Sequence, residues 1–393
     1  MTTSETTVST LPSRDELFTS CQHIATKPNI LGLFIQELNR AGFAGEERLS
    51  RLIFLALVTR VFKDPVSIAV KGPSSAGKSH TTQQVLNFFP TESYYAMTSM
   101  SEKALAYLNE PLKNRFLVIY EAEGMNGRTA SYFIRSLLSE GCIKHSTLNQ
   151  TRDDGWKLKT LYVEGPTGLL TTTTLPSLHA ENETRLLSVP VNDSPEQTSE
   201  IMKAIALDEA RPQIDYVPWH AFQHWLAAGT NGVSVPYAER LAATTFSGAV
   251  RLRRDFRKVI SLVKAHALVH QQSRPRGEDG AVQATLQDYA VVRDLVADLI
   301  AEAAEQTVSD SLRATVKTVE TQSRMGSAGI SVTVLAKLLG IDKSTASRRA
   351  DVAVEKGYLR NLEERPGIPA RLILGDPLPE EQEVLPQPQA LAA

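Results

Sequence analysis

The sequence predicts an α/β chain: a mostly parallel sheet with helices packed on it, a small helical domain ahead and a winged helix-turn-helix behind. Three observations carry this. Short β-branched or apolar runs, Val66–Val70 and Phe116–Tyr120 among them, alternate with helical stretches, as in a buried parallel sheet. A Gly/Ser loop, Gly72–Ser79, separates the first run from a helical stretch. From about residue 328 the pattern becomes helix, tight turn, helix and two short strands.

Residues 1–12 are polar and of low complexity and are expected to be disordered. Residues 13–61 read as the small helical domain, with Ile30, Leu33, Phe34 and Leu38 at helical spacing and a more evenly apolar stretch at Leu49–Val61. The α/β core is expected over 62–205. Its further strands are Thr160–Val163, Gly168–Thr171 and Leu186–Val191. Residues 206–325 are nearly all helical, the pattern of a lid. Within them Arg251–Val269 carries Arg251, Arg253, Arg254, Arg257, Lys258 and Lys264. The winged helix-turn-helix spans 328–375, and the tail 376–393, with four prolines, is expected to be unstructured.

Composition narrows the function. Forty-two basic and 44 acidic side chains give a net charge of −2, which excludes a general basic coat and leaves any nucleic-acid contact to local patches. Two cysteines, Cys21 and Cys142, exclude a disulfide framework or a four-cysteine zinc site. The longest apolar run, around Leu52–Val58, is far short of the roughly 20 residues of a membrane helix. Met1–Thr10 has no apolar core of a secretory signal. A cytoplasmic protein with no membrane partner is expected.

The segment Gly72-Pro73-Ser74-Ser75-Ala76-Gly77-Lys78-Ser79 fits G-x-x-x-x-G-K-[ST] at every position, with His80 next. Glycines let backbone N–H groups wrap a phosphate, and the helix beginning near Lys78 turns its positive end toward the anion. Lys78 is expected at the β- and γ-phosphates of ATP and Ser79 on Mg²⁺. The strand Phe116–Tyr120 then ends in Glu121-Ala-Glu123, where a carboxylate can orient the attacking water. The usual acid that supports Mg²⁺ is replaced by Tyr120. In Gly168–Thr174, Thr172 and Thr173 are both candidates to bond that water. Arg185 precedes the last strand and Arg251 opens the basic helix; each is a candidate phosphate sensor or a solvated charge.

These residues resemble an AAA+ ATPase, nearest to minichromosome-maintenance-like and primase-associated helicase domains of phage and mobile elements. The segments KGPSSAGKSH, RFLVIYEAEGM, EGPTGLLTTTT, ENETRLLSVPVNDSPEQ and VRLRRDFRKVISLVKAHA carry the likeness over about 62–270. The resemblance implies Glu121 as catalytic acid, with Glu123 as possible compensation for Tyr120. It implies Thr173 as first sensor, Arg185 as a finger acting on a neighbouring subunit and Arg251 as second sensor. It implies a homo-oligomer, a hexameric ring, with a primase or other replication protein as a possible partner. The segment Glu140–Tyr162 corresponds to the hairpins such motors point into their pore, with Lys144, His145 and Lys157 as the cations there.

Arg348 and Arg349 lie on the second helix of the winged segment and are candidates for DNA contact, although Asp351, Glu355, Glu363 and Glu364 dilute the charge and leave protein docking open. The pairs His220/His224 and His266/His270 share helix faces but lack a third obvious ligand, and read as ordinary helix residues. The reading that follows is an ATP-driven DNA helicase or translocase. The alternatives are an ATP-switched DNA-binding initiator or regulator, and a defence ATPase that remodels partner proteins.

Overall fold

The structure, a computed structural model, describes residues 12–98, 103–108, 110–122, 127–151, 155–176, 178–207, 212–229, 232–305, 308–363, 365, 368–378 and 383–392. In chain order its elements are α1 (Arg14–Ala25), α2 (Ile30–Arg40), α3 (Glu47–Val58), β1 (Ile68–Lys71), α4 (Lys78–Leu86), β2 (Tyr94–Met97), β3 (Arg115–Ile119), α5 (Arg128–Glu140), β4 (Cys142–Thr151), β5 (Gly155–Glu164), β6 (Thr167–Thr173), α6 (Ala180–Glu183), β7 (Leu187–Pro190), α7 (Pro195–Ala206) and α8 (Val217–Ala227). They continue as β8 (Val233–Ser234), α9 (Ala238–Thr244), α10 (Leu252–Val269), β9 (Val282–Gln283), α11 (Leu286–Glu305), α12 (Asp310–Arg324), α13 (Val332–Leu339), α14 (Lys343–Glu355), β10 (Leu359–Asn361) and β11 (Leu372–Leu374).

The chain forms two compact units, one of residues 1–236 and 257–295 and the other of 237–256 and 296–393. The first holds a five-stranded sheet in the order β2-β3-β6-β1-β7, with every pair parallel. β1 and β3 carry apolar cores, Ile68–Val70 and Phe116–Ile119, and β6, although four of its seven residues are threonine, is buried at every residue, as in a central strand of a parallel sheet. β2 went unread in the sequence. It is a half-exposed edge strand whose Tyr-Tyr-Ala-Met lacks the β-branched signal.

The segment Thr160–Val163, expected in the sheet, is instead part of β5, which pairs antiparallel with β4 in a hairpin of its own. The helices of 13–61, expected as a separate domain, belong to the same unit as the sheet. Their reason is an aromatic cluster. Phe34 lies 4.7 Å from both Phe54 and Phe88, Phe88 lies 5.1 Å from Trp219, and Phe18 packs on Trp225. Helices of this length cannot bury such rings alone, and each buried ring contributes roughly 1.5–3 kcal/mol.

The second unit holds α9 and the residues from 296 on, so the expected lid of 206–325 is divided between the units. Here α12, α13 and α14 pack with a short antiparallel pair, β10–β11. Ala346, Ala350 and Ala353 face the core along α14, and their small side chains let α12 and α13 approach. The tail from Asp376 is expected to be unstructured, but its described residues, 376–378 and 383–392, are anchored. Leu378, Val384, Leu385 and Leu391 are buried, Phe246 N–H donates to the Val384 carbonyl, and Arg240 donates to that of Leu391. The prolines hid these apolar anchors.

His266, His270 and Asp288 meet in the interior of the first unit. His266 Nδ1 lies 2.6 Å from Asp288 Oδ1, and Arg274 and Thr285 donate to the same carboxylate. These bonds hold Asp288 far below the usual carboxylate range despite its burial. His270 Nε2 accepts the Ile30 N–H at 3.1 Å, while Nδ1 faces the His266 carbonyl at 2.9 Å. That pattern suits a neutral ring, and burial, aided by the neighbouring His266, pushes its pKa down to about 4.

A free histidine titrates near 6.5, so between about 4 and about 6.5 the unfolded chain takes up a proton that the folded chain refuses. Stability from His270 is whole above that window, falls as pH drops through it, and falls no further below. We expect the chain to lose on the order of 2 kcal/mol from this group between about pH 7 and about pH 5. Urea unfolding of the wild type and His270→Gln at both pH values measures it. Equal pH dependence in the two proteins would assign the loss elsewhere.

Candidate nucleotide site

The first unit brings the phosphate loop, the end of β3 and the end of β6 around one pocket of about 410 Å³. Ser74, Ser75, Ala76, Gly77, Lys78, Ser79, His80, Glu121, Ala122, Thr172, Thr173 and Thr174 line it. The loop is shaped by its backbone. Ser75 has φ 65° and Gly77 φ 79°, left-handed positions on either side of Ala76, as in the turns whose N–H groups form anion-binding nests. Gly77 is the N-cap of α4, which places the helix's unpaired N–H groups at the same point. Gly72 is required by space: a Cβ there would lie 2.3 Å from Val191 Cγ2. Its N–H donates to the Thr173 carbonyl at 3.2 Å, stitching the loop to the end of β6.

Lys78 is buried, and its Nζ donates to the carbonyls of Gly72 at 2.9 Å and Pro73 at 2.6 Å. Burial lowers its pKa and the Glu121 charge opposes the fall. A phosphate competes with those two carbonyls for the ammonium. Ser79 is exposed at the mouth of the pocket, with the Glu121 carboxylate and the threonine hydroxyls on the facing strands. Hard oxygen donors of this kind fit Mg²⁺, which keeps several of its waters.

Glu121 follows β3 with φ 72°, a left-handed conformation uncommon for a residue with a Cβ. Its N–H donates to Thr172 Oγ1 at 3.1 Å. The strained turn and this bond aim the end of β3 at the end of β6. The Thr173 hydroxyl, expected as the sensor, accepts the Leu175 N–H at 3.0 Å, while that of Thr172 is the one bonded to the Glu121 backbone. Glu123 lies outside the described residues. Tyr120 turns away from this role: its hydroxyl donates to Gln83 Oε1 on α4 at 2.9 Å, and burial raises its pKa.

Arg185 lies between α6 and β7, the edge strand. Its Nε donates to Ser139 Oγ on α5 at 2.7 Å and its Nη1 to the Glu181 carbonyl. Arg251 belongs to the second unit, where it pairs with Asp255 at 3.1 Å, both side chains buried. Arg348 is exposed and Arg349 half-buried on α14. Lys144 is exposed on β4, its Nζ 6.0 Å from the Tyr162 ring. The side chain of Lys157 lies outside the described residues.

Sequence reasoning missed the polar group behind the loop. Lys71 Nζ lies 2.5 Å from Glu183 Oε1, and Leu178 N–H and Ser188 Oγ also donate to that carboxylate. Burial raises the pKa of Glu183, but these donors outweigh it and hold it low. Only the fold brings Lys71 and Glu183 together, so no local signal marks them. Lys258, read as part of a basic face, is buried and donates to the Leu186 carbonyl at 2.9 Å.

A protein-family model, that of the MTBMA_p00010 P-loop domain, matches residues 21–217, half of the chain. The chain belongs to this P-loop domain family. Its matched span starts in α1 and ends at α8, so it contains both the aromatic helices and the sheet. No curated protein matches. Among solved structures, the crystal structure of a full-length MCM homolog from Methanopyrus kandleri aligns with a TM-score of 0.48 and 15% identity. The alignment covers 75% of this chain and 63% of that one.

For the P-loop itself, Lys78→Ala removes the cation held over the cradle. Charge-assisted contacts of this kind correspond to about tenfold to a hundredfold in affinity. Titration with a fluorescent ATP analogue should show at least that loss. Unchanged affinity would mean that the loop does not hold the phosphates.

Proposed function

We propose that this P-loop protein is an ATP-hydrolysing AAA+ motor that acts on nucleic acid, a DNA helicase or translocase working as a hexameric ring. The observation that carries the reading is Glu121, set on a left-handed turn against Thr172 at the rim of the phosphate cradle. In this reading Glu121 orients the attacking water and accepts its proton, while Thr172 fixes the position of the acid. Ser79 would hold Mg²⁺, whose charge would offset that building up on the phosphate oxygens. Lys78 leaves its loop carbonyls for the phosphates.

The hairpin β4–β5 supports a nucleic-acid substrate. Lys144 with Tyr162, Ser146 with Thr160 and Leu148 with Leu158 are cross-strand pairs, and all six residues are exposed. A cation, an aromatic ring and hydroxyls on one face suit backbone phosphates and unstacked bases. In the second unit, α13, α14 and β10–β11 follow the order of a winged helix-turn-helix, with Arg348 outward on α14 as the duplex contact. A primase or another replication protein is the partner this reading expects.

One observation favours a second reading, an ATP-switched DNA-binding initiator. Tyr120 stands where a carboxylate would support Mg²⁺ and is committed to Gln83. A site with that substitution can bind ATP and turn it over slowly.

ATPase rate with and without single- and double-stranded DNA separates the two. A motor is stimulated severalfold or more, and Glu121→Gln lowers its turnover by about a hundredfold or more while retaining ATP binding. DNA binding that depends on ATP, without stimulation, would favour the initiator. Full activity in Glu121→Gln would remove the acid assignment.

Arg185 is proposed to reach the γ-phosphate of a neighbouring subunit, exchanging Ser139 Oγ and the Glu181 carbonyl for it. Arginines in such positions contribute on the order of a thousandfold to turnover. Arg185→Ala and Lys78→Ala should each be inactive, and mixing them should restore part of the activity at interfaces that keep both residues. Co-assembly without recovery would make Arg185 a local structural residue.

A further inference from the structure

One aromatic contact at the rim of the pocket is not explained by the phosphate machinery. The rings of Phe43 and His80 are stacked, 6.1 Å between centroids and 19° between planes. His80 is exposed on the first turn of α4 and lines the pocket; Phe43 comes from the loop between α2 and α3. The two residues are 37 positions apart in the sequence.

Phe43 is held in place from several sides. The end of α2 closes in a Schellman motif: Gly42, at φ 91°, donates to the Asn39 carbonyl and Phe43 N–H to that of Leu38, both at 3.0 Å. The loop is then pinned to the segment after β7. Gln197 Nε2 donates to the Ala44 carbonyl at 3.0 Å, and Asn192 N–H donates to Glu46 Oε1 at 2.6 Å. Gly45, at φ 70°, sits where a residue with a Cβ is strained, and a Cβ there would fall 1.7 Å from Gln197 Nε2 and displace the amide that holds Ala44. Val191, one residue before Asn192, is the residue packed on Gly72 at the start of the cradle. The same segment therefore fixes both the phosphate loop and the loop that presents Phe43.

We infer that the Phe43–His80 pair is the platform for the base of the bound nucleotide, which stacks on the aromatic rings while the loop holds the phosphates. The inference rests on the reading of the loop as a nucleotide site. With the triphosphate against the N-terminus of α4, the ribose and base leave over the first turn of that helix, where His80 stands. Stacking uses the ring face that every base offers, so the platform does not distinguish ATP from GTP.

The test compares a nucleotide with its phosphates alone. Full-length wild type, Phe43→Leu, Phe43→Trp and His80→Ala are titrated with fluorescent ATP, then with ATP, GTP and inorganic tripolyphosphate as competitors. Phe43→Leu keeps an apolar side chain at the loop, and exposed His80 can be shortened without touching the core. We expect both Phe43→Leu and His80→Ala to weaken ATP and GTP roughly tenfold and to leave tripolyphosphate unchanged, with Phe43→Trp restoring affinity. Wild-type ATP affinity in Phe43→Leu and His80→Ala would overturn the platform. Equal losses for ATP and tripolyphosphate would overturn it too, by showing a disturbed cradle. If the wild type binds neither ATP nor tripolyphosphate, the nucleotide site itself is refuted.

Discussion

The chemistry of this chain depends on one turn, the one that takes it from β1 into α4. β1 lies between β6 and β7, so its C-terminal end points to the crevice where strand ends meet, as ligand sites do in parallel sheets. Gly77 in the left-handed region then starts the helix with its N–H groups facing that crevice. An anion placed there meets the helix dipole, the loop amides and Lys78 together. The turn is held by its surroundings: Gly72 is pressed by Val191, bonded to Thr173 and followed by a loop whose carbonyls occupy Lys78.

What could be read in advance divides along the same line. The cradle is local, eight consecutive residues whose types are dictated by backbone geometry, and so Gly72 to Ser79 was legible. That a carboxylate, Glu121, follows an apolar strand into the pocket was legible too. The choice between Thr172 and Thr173 was not. Neighbouring residues on a strand point to opposite faces, and only the pairing of β3 with β6 decides which hydroxyl meets Glu121. Lys71–Glu183 was invisible for a related reason, since 112 positions separate the partners.

Domain limits were harder to read than elements. α2 and α3 have helical spacing, but spacing does not say what a helix packs against. Phe34 and Phe54 find Phe88 and Trp219, so residues far apart in sequence share one core with the sheet. The tail misled in the opposite way. Prolines argue against helices and strands, not against burial, and Leu378, Val384, Leu385 and Leu391 are buried without extended regular structure.

Tyr120 shows how a departure from a motif is accommodated. In the proposed reading a carboxylate at this position would support Mg²⁺, and Tyr120 supplies none. A phenol cannot substitute for that charge near neutral pH, the less so because burial raises its pKa. The hydroxyl is instead spent on Gln83, one turn past Ser79 on the same helix, so the side chain braces α4 against β3. In the proposed reading, Ser79 would therefore be left to hold Mg²⁺ and Glu121 to orient the attacking water. The position that departs from the motif thus gains a structural use: α4, which begins at the phosphate loop, is braced by the strand that leads to Glu121.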